Sequence, residues 1–142
     1  MHLRRRAREA ALQALYQMDV ADGGAEECFS GVSDRQNLTG AARQYSEALF
    51  FGVAGSFKEL DGAIEERSEN WTVERMAVVD RNVLRIAVYE LLHCPGVPYR
   101  VVIDEAVELA KRFGSEDSGA FINGILDRIA KDVSPSIIAR AQ

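Results

Sequence analysis

The chain has 142 residues, 47% of them hydrophobic and 27% charged, with a net charge of −5, which suits one core or two small ones and excludes a catalytic domain joined to a large accessory domain. Its two cysteines, Cys28 and Cys94, lie far apart and outside any CxxC, so neither a zinc site nor a disulfide framework is indicated. No apolar run is long enough to cross a bilayer and the start, MHLRRRARE, lacks a signal-peptide core, which predicts a soluble, unprocessed, cytoplasmic protein.

The first helix is signalled by Ala7, Ala11, Leu12, Leu15 and Met18 at helical spacing, with Arg6, Glu9, Gln13 and Tyr16 on its outer face. Arg4, Arg5, Arg6 and Arg8 give residues 1–8 four positive charges and no acid, so the rest of the chain carries −9. Cations at a helix N-terminus oppose the macrodipole and cost local stability. Residues 21–39 turn to Gly, Ser, Asp and Asn and read as a connector, with at most a short helix over Glu26–Phe29. One apolar phase from Ala42 through Tyr45, Leu49, Val53 and Leu60 to Ile64 predicts a single long, kinked helix after a Thr39 N-cap. The competing signal is a new start at Phe57, marked by Gly52, Gly55, Ser56 and Glu59.

Residues 68–78 read as a turn plus a short helical piece, with Trp71 as a packing anchor between two halves in preference to a ligand platform. Val79–Leu92 is apolar on two faces, hence a central buried helix, with a narrow polar edge of Asp80, Arg81, Arg85 and Tyr89. Pro95, Gly96 and Pro98 interrupt it, and the stretch from Val97 to Ile129 reads as helix, tight polar turn, helix. Pro98 opens the first of these and Gly114, in the left-handed conformation, closes it. Val102, Ala106, Leu109, Ala110 and Phe113 form one buried stripe; Ile122, Ile125, Leu126, Ile129 and Val133 form the next, with Phe121 beside it. After Val133 a short polar tail containing Pro135 is expected. No segment alternates with period two, so the expected fold is all-α, with about six or seven helices in two small packed bundles, residues 1–70 and 71–142.

The sequence has no phosphate loop, GxGxxG after a strand, HExxH or GxSxG, and its two histidines, His2 and His93, are isolated. No cofactor, metal site or catalytic group is therefore expected. Asp104, Glu105 and Glu108 read as a solvated acidic face, and His93 as a local cap or packing residue. What remains is recognition. Concentrated cations, a polar turn and an offset aromatic are the means by which single-stranded RNA is bound, through phosphate attraction and base stacking.

RRRAREAALQALYQMD, DRNVLRIAVYEL and VPYRVVIDEAVELAKRFGSEDSGAFINGILDRI closely resemble the NusB family of bacterial transcription antitermination factors, across nearly the whole chain and most weakly from Asp22 to Leu38. The resemblance implies two small helical bundles, no catalysis, a complex with the ribosomal protein NusE in the transcription elongation complex, and binding of boxA elements in nascent ribosomal RNA. It places RNA contacts at Arg4, Arg5, Arg6, Arg8, Lys111, Glu116, Asp117, Ser118 and Phe121, and NusE contacts at Tyr16, Glu74, Asp80 and Arg81. One departure stands out: the family often carries a basic or amide pair just before the equivalent of Phe121, where this chain has Gly119 and Ala120. Two other readings fit the same fold. One is the RNA-recognition domain of a ribosomal RNA methyltransferase, although no βαβ pattern follows in this chain; the other is a structural helical homodimer.

Overall fold

The computed structural model describes residues 2–21, 23–69 and 71–132, and among them seven α-helices and no strand. Val133 and the Pro135 tail lie outside the described residues. The chain divides into two compact units, one running through Ser56 and the other from Phe57 onward, whereas the sequence had suggested a joint near Trp71.

In the first unit, α1 (His2–Ala21) packs against both α2 (Ala25–Arg35) and α3 (Gly40–Ala54). Ala7, Ala10, Ala11 and Ala14 are fully buried on α1, and such small side chains let two neighbouring helices approach closely. Leu12, Leu15, Val32, Leu49, Phe50 and Val53 fill the space between the three helices. The expected connector is in fact the eleven-residue α2. Its Gly31, Ser30 and Ser33 are weak helix formers, so propensity hid it, and tertiary packing supplies what propensity lacks. Cys28, Phe29 and Val32 are buried on its inner face, with the Phe29 ring stacked on Phe50 at 5.6 Å between centroids. Between α2 and α3 the backbone turns sharply at Asn37 and Gly40, with φ of 52° and 58°. Glycine adopts such a φ without strain, and asparagine tolerates it better than most residues.

The long helix expected over residues 40–67 is two helices, α3 and α4 (Phe57–Glu65). The competing signal prevails because Gly55 and Ser56 close α3: their amides donate to the carbonyls of Phe51 and Val53 at 2.9 and 3.0 Å. Both helices happen to keep one apolar phase, which periodicity alone cannot tell from continuity.

The second unit is built on α5 (Val78–His93), which packs against α4, α6 (Tyr99–Phe113) and α7 (Ser118–Asp132). Val83, Leu84, Ile86, Ala87, Val88 and Leu91 are all buried on it, as its two apolar faces require. A short 3₁₀ turn, Val73–Arg75, precedes it. Arg85, read from sequence as part of a polar edge, is 8% exposed. Its guanidinium makes a two-pronged pair with Asp61 of α4, Nε to Oδ1 at 2.8 Å and Nη2 to Oδ2 at 2.9 Å, donates to Asn82 Oδ1, and lies 4.4 Å over the Phe57 ring.

Because Arg85 is nearly buried, removing its carboxylate partner leaves a desolvated cation. Asp61→Ala is expected to cost about 2–3 kcal/mol, below the ~3–5 of a fully dry pair because a quarter of the Asp61 side chain stays exposed. Asp34→Ala breaks the solvent-exposed Arg43–Asp34 pair and should cost under about 1 kcal/mol. Urea unfolding of both variants measures the contrast.

Candidate nucleic-acid interface

In the first unit, the first turn of α1 holds no acid. Arg4, Arg5 and Arg6 are exposed there. Arg4 stacks over the Tyr45 ring at 5.0 Å, and Arg6 donates to the Gln36 carbonyl at 3.1 Å, so both side chains are oriented and not merely frayed into water. Arg8 differs from its neighbours. It is 3% exposed, with its guanidinium 6.0 Å from the centre of the Tyr45 ring. Its expected surface contact therefore becomes a structural one, in which Arg8 holds the aromatic that Arg4 also covers. Tyr16 lies further along α1 and is 43% exposed.

In the second unit, α6 and α7 pack together through the turn Gly114–Asp117. Lys111 and Arg112 occupy the last turn of α6, where cations complement the macrodipole, and Glu116 and Asp117 sit just before α7, where acids do. The four are exposed. Ser118 is not. It is 2% exposed, and its hydroxyl accepts the Ser115 amide at 2.9 Å and meets the Ser115 hydroxyl at 3.2 Å. That is half of a capping box with serine in the reaching position, so the RNA contact read from sequence becomes a turn-forming contact. Gly114 was expected to be left-handed, yet its φ is −99°. Glycine is needed for space: a Cβ there would lie 2.5 Å from Ser118 Oγ and 2.8 Å from the Ala110 carbonyl oxygen.

Gly119 is buried under the stem of Lys111, and a Cβ on it would stand 3.3 Å from Lys111 Cγ and 3.5 Å from Cε. The lysine thus lies across the first turn of α7 with its end exposed. Phe121 is half-buried beside the stripe of Ile122, Ile125, Leu126 and Ile129. It lines an open cavity of about 380 Å³ with Trp71, Arg75, Asp80, Ser115 and Asp117. Trp71, read as a packing anchor, is 52% exposed. The signal that could have found it is its setting, ENWTVE, in which the nearest aliphatic side chain is Val73 and no apolar period runs through the indole.

The four residues expected to meet a protein partner are distributed. Glu74 and Arg81 line a second cavity, of about 550 Å³, along with Lys58, Asp61, Glu65 and Arg85. Asp80 does not join them. It stands in the first turn of α5, with one carboxylate oxygen buried and unbonded, in the cavity of Phe121 and Asp117. His93 pairs with Glu59, Nε2 to Oε1 at 3.0 Å, and among the described residues no cluster of three metal-ligating side chains occurs. None of the described helices is long and apolar enough to cross a membrane.

Residues 5–131 match the model of the NusB family. The chain belongs to the NusB family. A transcription antitermination protein NusB from Anaeromyxobacter dehalogenans (strain 2CP-1 / ATCC BAA-258) is 50% identical over 134 residues, covering 94% of each chain. The structure of T. maritima NusB superposes with a TM-score of 0.85 at 42% identity, covering 91% of each chain. A crystal structure of antitermination factors NusB and NusE in complex with double-stranded RNA gives a TM-score of 0.85 at 30% identity, covering 93% of this chain and 98% of that one. As a NusB-family protein this chain is a non-catalytic transcription antitermination factor with an all-helical fold.

The two glycines of the α6–α7 joint differ in kind. Gly114→Ala places a Cβ against backbone and a buried hydroxyl, and should cost about 1–3 kcal/mol as overpacking does. Gly119→Ala presses only on the flexible stem of an exposed lysine, touches Val107 at an ordinary 3.7 Å and gains helix propensity, so its melting temperature should be unchanged or higher. Thermal unfolding followed by circular dichroism distinguishes the two.

Proposed function

We propose that this chain pairs with the ribosomal protein NusE and binds boxA-type single-stranded RNA in nascent ribosomal transcripts. The observation that carries the NusE and RNA parts of this reading is the likeness, over 93% of the chain, to a NusB crystallised with NusE and double-stranded RNA; the single-strand part rests on the accessible aromatic faces, which suit unpaired bases. The charge distribution supports it. On a protein of net charge −5, the exposed Arg4, Arg5 and Arg6 form an acid-free cationic end, suited to a local phosphate contact and unsuited to general coating of nucleic acid. Lys111 adds an exposed cation on the second unit, and Phe121 contributes an aromatic face to the cavity it shares with Trp71 and Asp117.

The cavity of Glu74 and Arg81 fits the protein partner better than the RNA. With Arg85 and Asp61 paired to each other, Lys58 and Arg81 there balance Glu65 and Glu74, which gives a polyanion no net attraction and offers a mixed-charge protein surface a complementary face. Tyr16, exposed on α1, is the further contact assigned to NusE.

Replacing Arg4 and Arg5 by Gln should weaken RNA binding and flatten the plot of log affinity against log salt by roughly 0.7 per lost phosphate contact, the single-strand value. Titrations of single-stranded and duplex RNA, each with and without NusE, test the reading as a whole. An unchanged salt slope removes the arginines from the interface, and equal affinity for duplex and single strand removes the single-strand preference.

Asp117 gives a test of opposite sign. Its carboxylate is exposed and makes no hydrogen bond among the described residues, so no capping bond is lost on neutralisation. Repulsion from a nearby phosphate amounts to ~1 kcal/mol or less at exposed distances. Asp117→Asn should therefore tighten RNA binding by up to about fivefold with little change in stability. Weaker binding at constant fold would show instead that the carboxylate accepts a hydrogen bond from the RNA.

A further inference from the structure

We infer that the cavity lined by Trp71, Asp80 and Phe121 is a subsite for one unpaired nucleobase bearing an exocyclic amine, with Trp71 as its stacking platform; the inference rests on the RNA-binding reading above. Trp71 is the only tryptophan of the chain and is 52% exposed. Its loop is pinned on every side. The Ser68 hydroxyl donates to the Trp71 carbonyl, the Arg75 amide to the Thr72 carbonyl at 3.0 Å, and the Val73 amide to Glu65 Oε2 at 2.7 Å. A large apolar ring half in water on a hydrogen-bonded backbone suits a preorganised contact, since the backbone has been ordered before any ligand arrives. Among the described residues, neither Trp71 nor Phe121 stacks on another ring, so both aromatic faces of the cavity are available.

The lining chooses the base over the phosphate. Asp80 and Asp117 outnumber Arg75, so an anion is disfavoured. The Asp117 carboxylate is exposed and makes no hydrogen bond among the described residues, so the lining has acceptor capacity to spare. A ligand that brings N–H donors on a flat, uncharged body meets that excess, and adenine, guanine and cytosine carry an exocyclic amine where uracil carries only carbonyls and one ring N–H. The cavity's volume of about 380 Å³ accommodates one base and not a folded segment. Its shared walls with Asp117 and Phe121 place it within the surface assigned to RNA.

Because Trp71 is the sole indole, its emission reports on this cavity. The full-length chain, with and without NusE, is titrated with a fluorescently end-labelled single-stranded boxA-type RNA. Anisotropy then records binding while Trp71 emission records stacking. Quenching should track binding, and an abasic scan should find one nucleotide whose base is needed for the quench and whose loss weakens binding about 5- to 140-fold. Uridine at that nucleotide should bind more weakly than the amine-bearing bases. Trp71→Ala should lose affinity by a similar factor without changing the salt slope, while Trp71→Phe retains most of it; circular dichroism checks that both variants fold. RNA binding with unmoved Trp71 emission, or a quench that survives every abasic substitution, overturns the proposal. So does a quench produced by NusE without RNA, which would assign the cavity to a protein side chain. Absence of any RNA binding, with or without NusE, would instead overturn the RNA-binding reading itself.

Discussion

The close approach of Ser118 to Gly114 is the constraint on which the second unit's candidate surface depends. The Ser118 hydroxyl accepts the Ser115 amide, and this bond fits only because position 114 has no side chain. With the turn closed so tightly, only Gly114–Asp117 separate the end of α6 from the start of α7. Three consequences follow from that register. Lys111 comes to lie across Gly119, Glu116 and Asp117 are left exposed before α7, and Phe121 is set one position off the buried stripe. A looser turn would free all of these side chains to reorient, and the energy of holding them would have to come from the ligand.

Much of the fold was legible in the sequence, because strong helical periodicity reports burial directly. The two-faced apolar pattern of α5 could belong only to a central helix, and the stripes of α6 and α7 are buried from Val102 to Ala110 and from Ile122 to Ile129, while Phe113 is half-buried and Val133 lies outside the described residues. What was hidden had physical causes. The helix α2 is stabilised by Phe29 against Phe50, a contact 21 positions apart in sequence that no local window contains. The break between α3 and α4 leaves the apolar phase intact, so only the glycine and serine at 55 and 56 mark it.

The candidate surface was legible in residue type and less so in role. Charge clustering identified the arginines, but composition cannot tell Arg4, stacked and exposed, from Arg8, stacked and buried. Ser118 has the polarity of a contact residue and the environment of a cap. Arg85 sits on what looks like a polar helix edge, and its burial follows from Asp61, 24 positions away. In each case a partner distant in sequence or across a turn decides whether a polar atom faces water or protein. Trp71 is the reverse case, a residue whose type predicts burial and whose pinned polar loop prevents it.

The absence of a side chain at Gly119 acquires a meaning in this setting. The resemblance to the family leads one to expect a basic or amide pair just before Phe121, which would bring hydrogen-bond donors to the first turn of α7. Here position 119 is buried and bare, and the space above it is taken by the methylenes of Lys111 from the preceding helix. A lysine lying against apolar surface loses little when its ammonium stays in water, and its stem is held by the very contact a larger residue at 119 would abolish. Lys111 thus brings an ammonium from α6 across the joint to the first turn of α7. Unlike a donor carried on α7 itself, its position depends on the geometry that Gly114 and Ser118 impose.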